Sequence, residues 1–515
     1  MKKNNSLLIG VDIGTSGCKT IIMDDEGKVL EKAFHDYPLY VEKHGWFEQQ
    51  PQDWWLAVVS TIRKVVGADA SYPSRVAAVG LTGQMHGLVP MDKEGNVIRK
   101  AILWNDQRTQ EQCDYIHQKA GGLQNLLKIT NNPMLTGYTG GKIIWLREHE
   151  TENYKKLHKF LNPKDYIRFM MSGDYATEVS DASGTGLFDV KNRKWSEQLF
   201  ELLNIPLDLA PKVYESTQVT GKLSKEAADA TGLIAGTPIV GGGGDAVIQT
   251  LGSGVITSQD LMTTIGTAGV ISTALENFVQ NPDGRLQIFC NVISDTWHIM
   301  GVTLSGGSSL KWFRDRLGRT EKIVADNLKI DEYEILSEMA EKTEPGSGGL
   351  IFLPYLGGER CPYPDPNLKA GFIGLSYNTT KSEMVRSVME GVIFSLYDAH
   401  TIFEELGMDF RRVSTSGGGA QSSFWKQVHA DIFQKDVVTL NGSREGAAYG
   451  AAMVAAVGIG VWNSFEQGVD LMKVETLTEP NKEYAAGYKK LYGVYHSLHD
   501  ALKPSFDILA NYNIK

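Results

Sequence analysis

Apolar positions fall into short unbroken runs near the N-terminus and into longer, helically spaced stretches beyond them. Leu7 to Ile13 is a run interrupted only by Gly10 and Asp12, Cys18 to Met23 is a second and Val29 to Phe34 a third. Gly14-Thr15-Ser16-Gly17 and Asp24-Asp25-Glu26-Gly27 separate them, a rhythm that predicts a β-meander. Val76 to Leu81 predicts a further strand, while Pro51 to Val66 and Gly140 to His149 repeat apolar residues at three- and four-residue spacing and predict helices. Strands and helices alternate, which gives an α/β class. A second strand-turn-strand, Leu261 to Ile265, Gly266-Thr267-Ala268-Gly269 and Val270 to Thr273, repeats the first weakly around its turn. Gly446 to Trp462 is uncharged and rich in Ala and Gly, but short for a bilayer span, and predicts a buried helix packed through small residues.

Length adds the domain count. At 515 residues the chain exceeds what one core supports, so two large domains are expected, 1–250 and 251–515. A net charge of −10 leaves no basic excess for nucleic acid, and no secretory leader or membrane anchor is predicted. Cys18, Cys113, Cys290 and Cys361 are far apart and form no metal or disulfide pattern; reduced thiols in a cytoplasmic protein fit that spacing.

Candidate chemistry gathers where polar residues end apolar runs. Asp12 closes a strand just before Gly14-Thr15-Ser16-Gly17, where a buried carboxylate needs a cation or donors. Glycines let backbone N–H groups approach anionic oxygens, Thr15 and Ser16 offer hydroxyls, and Lys19 adds charge, so the turn suits Mg²⁺-bound phosphate. On turn chemistry alone, a hairpin capped by Asp and Thr reads equally well. Asp245 follows the strand Pro238 to Val240 and four glycines, Gly241 to Gly244, whose freedom suits a hinge or a general base brought close to a hydroxyl. Gly241, Gly243 and Ala246 also match a dinucleotide-binding pattern. That reading requires an acidic strand end near Asp260, which instead precedes its strand. Gly417-Gly418-Gly419-Ala420 link the strand Arg412 to Thr415 to a helix bearing Phe424, Val428 and Ile432, a place for phosphate or adenine, or a plain tight turn. Gln84-Met85-His86 and Trp104-Asn105-Asp106 each end a strand and pair polar groups with an apolar surface, as polyol binding requires.

Over nearly the whole chain these residues resemble the FGGY carbohydrate kinases, and within them the xylulokinase branch. Gly137-Tyr138-Thr139-Gly140-Gly141-Lys142-Ile143-Ile144-Trp145-Leu146-Arg147-Glu148-His149 is similar to the first family signature. Ala370 to Leu375, followed after seven residues by Glu383-Met384 and then Ser387-Val388-Met389-Glu390, resembles the second. Gly80-Leu81-Thr82-Gly83-Gln84-Met85-His86-Gly87 is close to the sugar loop of the xylulokinases, whereas the glycerol kinase branch carries Arg-Glu at the place of Met85-His86. The resemblance implies two actin-like (ribonuclease H-like) domains with an interdomain cleft. It implies ATP-dependent phosphorylation of a ketopentose, D-xylulose to D-xylulose 5-phosphate, with L-xylulose, D-ribulose or a polyol as alternatives. Asp245 would be the catalytic base and Asp12 the Mg²⁺ organiser. Gln84, Met85, His86, Trp104, Asn105 and Asp106 would hold the sugar. Gly14, Thr15, Ser16, Lys19, Gly266, Thr267, Gly307, Lys311, Gly418 and Gly419 would surround ATP. The implied partner is a small sugar, with neither nucleic acid nor membrane, and a homodimer is left open. Ala246 and Ala268 depart from the family, which usually carries a polar residue at the first position and Ser at the second. The departure at Ala246 keeps a sugar sensor on the same fold in view as a different class of function.

Overall fold

A computed structural model describes residues 5–512. The chain forms two compact units. One gathers Met1–Ile256, Ala274–Ile299 and Glu445–Lys473; the other gathers Thr257–Thr273, Met300–Arg444 and Val474–Lys515.

In the first unit the expected meander is present as the strands Leu7–Ile13, Gly17–Asp24 and Val29–Asp36, paired antiparallel. The sheet continues from Leu7–Ile13 to Val76–Gly83 in parallel, then to Pro238–Val240 and Val219–Lys222. Its register explains the site. Asp12 lies opposite Thr82, and Thr82 lies opposite Gly243, so three neighbouring strand ends deliver Asp12, the Gln84 loop and Asp245 to one edge. Carboxyl ends of parallel strands are where open α/β sheets bind ligands, because the chain leaves the sheet there and the loops are free to vary.

Helix Pro51–Val66 buries Trp54, Trp55, Val58, Ile62 and Val65 in the core beneath the sheet. Helix Ala447–Gly458, the small-residue helix expected from the sequence, packs on the same strands. A Cβ on Gly10 would stand 1.9 Å from the Ala448 carbonyl oxygen, and one on Gly80 1.9 Å from that of Ala451, so this helix meets the sheet backbone to backbone. Replacing either glycine would force the two layers apart.

The second unit repeats the arrangement. Asp260–Ile265 pairs antiparallel with Gly269–Leu275 and parallel with Arg412–Ser416, within the strand order Trp297–Thr303, Gly269–Leu275, Asp260–Ile265, Arg412–Ser416, Asp436–Leu440, Val474–Thr478. Helix Lys381–Glu405 opens on a complete capping box between Thr380 and Glu383 and buries Val385, Val388, Val392 and Leu396. Among the described residues no helix is long and apolar enough to cross a membrane.

Candidate active site

Two carboxylates dominate the strand-end edge of the first unit. Asp245 begins the helix Asp245–Gly252, and its carboxylate accepts from the backbone N–H of Ala246 at 2.8 Å and from that of Met85. Those donors favour the anion, yet desolvation outweighs them and raises its pKa to about 6. Burial raises Asp12 further, to about 7, with the negative charge of Asp245 adding to the rise and Lys19 opposing it. Asp12 Oδ1 is buried with no hydrogen-bond partner. Two desolvated carboxylates that repel each other, one with an unmatched oxygen, form a site that gains from a bound cation.

The four glycines before Asp245 are all buried, and they are not the flexible stretch that their composition suggests. Gly242 has φ +71°, and a Cβ there would stand 1.9 Å from the Leu81 carbonyl oxygen. Glycine is needed for close approach to the neighbouring strand, and the run is held by hydrogen bonds along its length.

The loops carrying Gln84 and Trp104 converge on the first glycine turn. Trp104 Nε1 donates to Thr15 Oγ1 at 2.9 Å, and Gln84 Nε2 donates to Gln49 Oε1 at 2.9 Å and lies 3.4 Å from the Gly14 carbonyl oxygen. Gln84 Oε1 and Asn105 Oδ1 are buried with no hydrogen-bond partner, an unusual state for side-chain oxygens. Met85 packs beneath Gly244, where a Cβ would lie 2.6 Å from its Cγ. His86 sits at φ +70° with Nδ1 2.6 Å from the Gly184 carbonyl, an acceptor, so Nδ1 carries a proton and donates it there. Asp106 is otherwise engaged. It is fully buried, takes Arg108 through both oxygens at 2.9 and 2.7 Å, and accepts the Phe47 N–H at 2.7 Å, so it fastens the Trp104 loop. Ser16 is exposed at the turn. Lys19 lies opposite Asp12 in the hairpin with its ammonium 2.6 Å from Glu445 Oε2.

In the second unit Gly266, Thr267, Gly307, Lys311, Gly418 and Gly419 line one cavity of ≈ 710 Å³, a volume suited to a nucleotide. The hairpin turn and the start of helix Gly307–Leu317 are locked together: Gly307 N–H donates to the Gly266 carbonyl at 2.6 Å and Gly306 N–H to that of Thr267 at 3.0 Å. A Cβ on Gly306 would stand 2.6 Å from the Ala268 carbonyl carbon. Ser308 N–H also lies 3.3 Å from the Thr267 carbonyl, so the first N–H groups of this helix are spent on bracing the glycine turn beside the cavity.

The N-terminal domain of the FGGY family of carbohydrate kinases matches residues 7–252, and the C-terminal domain of that family matches 261–459. The chain belongs to this family. It is 36% identical over 497 residues to a xylulose kinase of Bacillus subtilis, covering 96% of this chain and 97% of that one. It is 30% identical over 511 residues to a gluconokinase of the same organism, with 98% of each covered. Among solved structures, a ligand-bound xylulose kinase from Lactobacillus acidophilus superposes with a TM-score of 0.89 at 28% identity, covering 98% of this chain and all of that one.

Several residues of this FGGY kinase were not singled out from sequence. Tyr138 stacks on His86 at 4.6 Å, and Lys142 Nζ and Thr139 Oγ1 both donate to the His86 carbonyl, at 2.8 and 3.0 Å. These three belong to the first family signature, which was the available signal. Lys142 is fully buried, and desolvation lowers its pKa to about 7. Tyr333, Glu334 and Ser337, from the helix Glu332–Glu341, line the nucleotide-sized cavity, and nothing in their local pattern marks them.

Proposed function

We propose that the protein phosphorylates the terminal C5 hydroxyl of a ketopentose, D-xylulose first among them, with ATP as donor and Asp245 as general base. One observation carries the reading. Asp245 is a desolvated carboxylate poised at about 6, held by the Met85 N–H of the loop that carries Gln84 and His86. A base poised just below working pH is mostly ionised and still takes a proton effectively. Its orientation is fixed by the Ala246 and Met85 N–H groups, so the carboxylate needs no reorganisation as it accepts the hydroxyl proton and the oxygen attacks the γ-phosphorus. Gln84 and Asn105 supply acceptors for sugar hydroxyls, and Trp104 an apolar face for its C–H groups.

Asp12 fits a Mg²⁺ ligand, since Oδ1 is buried and unmatched and the carboxylate is hard, charged and strained toward protonation without a cation. When bound, Mg²⁺ supplies charge neutralisation at the phosphate oxygens. In the second unit Thr267 and Lys311, on the wall of the cavity, would supply a backbone N–H and a cation to the polyphosphate. Gly418 and Gly419 leave the backbone bare for the base of the nucleotide.

A neutral ketose fits better than an aldonic acid. A sugar carboxylate would meet Asp12 and Asp245, while Lys142 is held by the His86 and Gly137 carbonyls and Arg108 by Asp106. The test is sugar-stimulated ADP release across D-xylulose, L-xylulose, D-ribulose, glycerol and gluconate. The reading expects D-xylulose to give the highest kcat/KM. Highest turnover on gluconate, or no stimulation by any ketose, overturns it.

A further inference from the structure

Beneath the Asp245 loop lies a cluster of five ionisable side chains, Lys164, Asp165, Arg168, Glu178 and Asp181, none of them exposed to solvent. Lys164 Nζ stands 2.6 Å from Asp165 Oδ1, 3.2 Å from Asp181 Oδ2 and 3.7 Å from Glu178 Oε1, while Arg168 approaches Asp165 at 3.3 Å. Burial pushes Asp181 well above the usual carboxylate range, with the Lys164 ammonium opposing the rise. A buried network of this kind is a poor source of stability, because desolvation offsets most of the attraction; its use is to fix one arrangement.

What it fixes is the glycine run. Arg168 Nη2 donates to the Gly241 carbonyl, with Lys164 Nζ 3.4 Å from the same oxygen. Glu178 accepts the Ser180 and Asp181 N–H groups and the hydroxyls of Ser180 and Ser216, each at 2.8 Å. The Ser216 carbonyl in turn accepts from Gly242 N–H at 2.9 Å. Ser180 has one hydroxyl proton, committed to Glu178, so its lone pairs are left for the Gly244 N–H, which lies 2.9 Å away. Gly244 is the residue immediately before Asp245. We propose that Ser180, oriented by the Glu178, Lys164 and Arg168 network, is a positioning residue for Asp245 that fixes the peptide leading into it. This rests on the reading of Asp245 as the base.

The test compares Ser180→Ala and Ser180→Cys, each alone, and Ser180→Ala in an Asp245→Asn background. The measurements are kcat and KM with ATP and the best sugar of the ADP-release panel, with circular dichroism as the fold control. Ser180→Ala is expected to lower kcat about ten-fold with KM for ATP unchanged, since a small misplacement of a reacting group is costly to rate and little else. Ser180→Cys, a weaker acceptor of the same shape, should fall between wild type and Ala, and it carries the test should the Ala variant fail to fold. In the Asp245→Asn background Ser180→Ala should change residual turnover less than about two-fold, because there is no base left to position. Full kcat in Ser180→Ala with Asp245→Asn inactive overturns this inference and leaves the base in place. Equal losses in both backgrounds overturn it too, as a merely structural role. An active Asp245→Asn enzyme instead brings down the reading of the base itself.

Discussion

Asp245→Asn should make the protein slower and more stable at once. The carboxylate takes its pKa to about 6 from an ordinary 3.8 because burial disfavours its charge. An acid whose folded pKa is raised binds more protons folded than unfolded, so the penalty is absent below about pH 4 and grows as pH rises through 6. Fully developed, the rise corresponds to roughly 3 kcal/mol, and the partial solvent access of the side chain reduces the expectation to about 1–2 kcal/mol. The amide keeps the shape and the acceptor for the Ala246 N–H while removing the charge. It also relieves Asp12, whose own rise owes part to Asp245. At about pH 7.5 the variant should therefore melt higher by about 2 °C in a chain of this size, with the gain vanishing near pH 4. Turnover should fall by about 10² to 10⁴ through loss of the base. The assay is ADP release at saturating substrates together with melting curves at both pH values. A variant keeping more than about a third of wild-type turnover, or melting lower than wild type at neutral pH, would refute the argument.

Three further changes probe the other parts. Asp12→Ala should raise the Mg²⁺ concentration needed for half-maximal rate and lower turnover, and an unchanged Mg²⁺ titration removes its role as ligand. Lys311→Met, in the cavity of the second unit, should raise KM for ATP and leave KM for sugar within about two-fold; equal shifts in both would contradict the assignment. Ala246→Asn should sharpen discrimination among D-xylulose, L-xylulose and D-ribulose by about 1 to 3 kcal/mol in relative kcat/KM. Selectivity ratios that stay fixed would mean that position 246 does not read the sugar.

Local pattern carried much of this architecture. The apolar runs Leu7 to Ile13 and Val76 to Leu81, and the glycine turns at 14–17, 266–269 and 417–420, were legible because strands and turns are written in neighbouring residues. Long-range pairing is not written there. That Gly10 and Gly80 exist to receive Ala448 and Ala451 follows from a contact across almost the whole chain, and the return of Glu445–Lys473 to the first unit has no local mark. Asp106 shows the same limit at the site. Its place in a polar loop suggests a substrate contact, and only the fold brings the distant Phe47 N–H onto Oδ2, which Arg108 of the same loop also holds. Gly241 to Gly244 read as freedom in one dimension and as crowding in three.

The most direct measurement of the central claim is the position of the phosphate in the product. Incubation with ATP, Mg²⁺ and D-xylulose, followed by phosphorus and carbon NMR, should give one ester, at C5, in amounts equal to the ADP released. A phosphate on C1, or free phosphate accumulating with ADP while the sugar stays unmodified, would contradict the account.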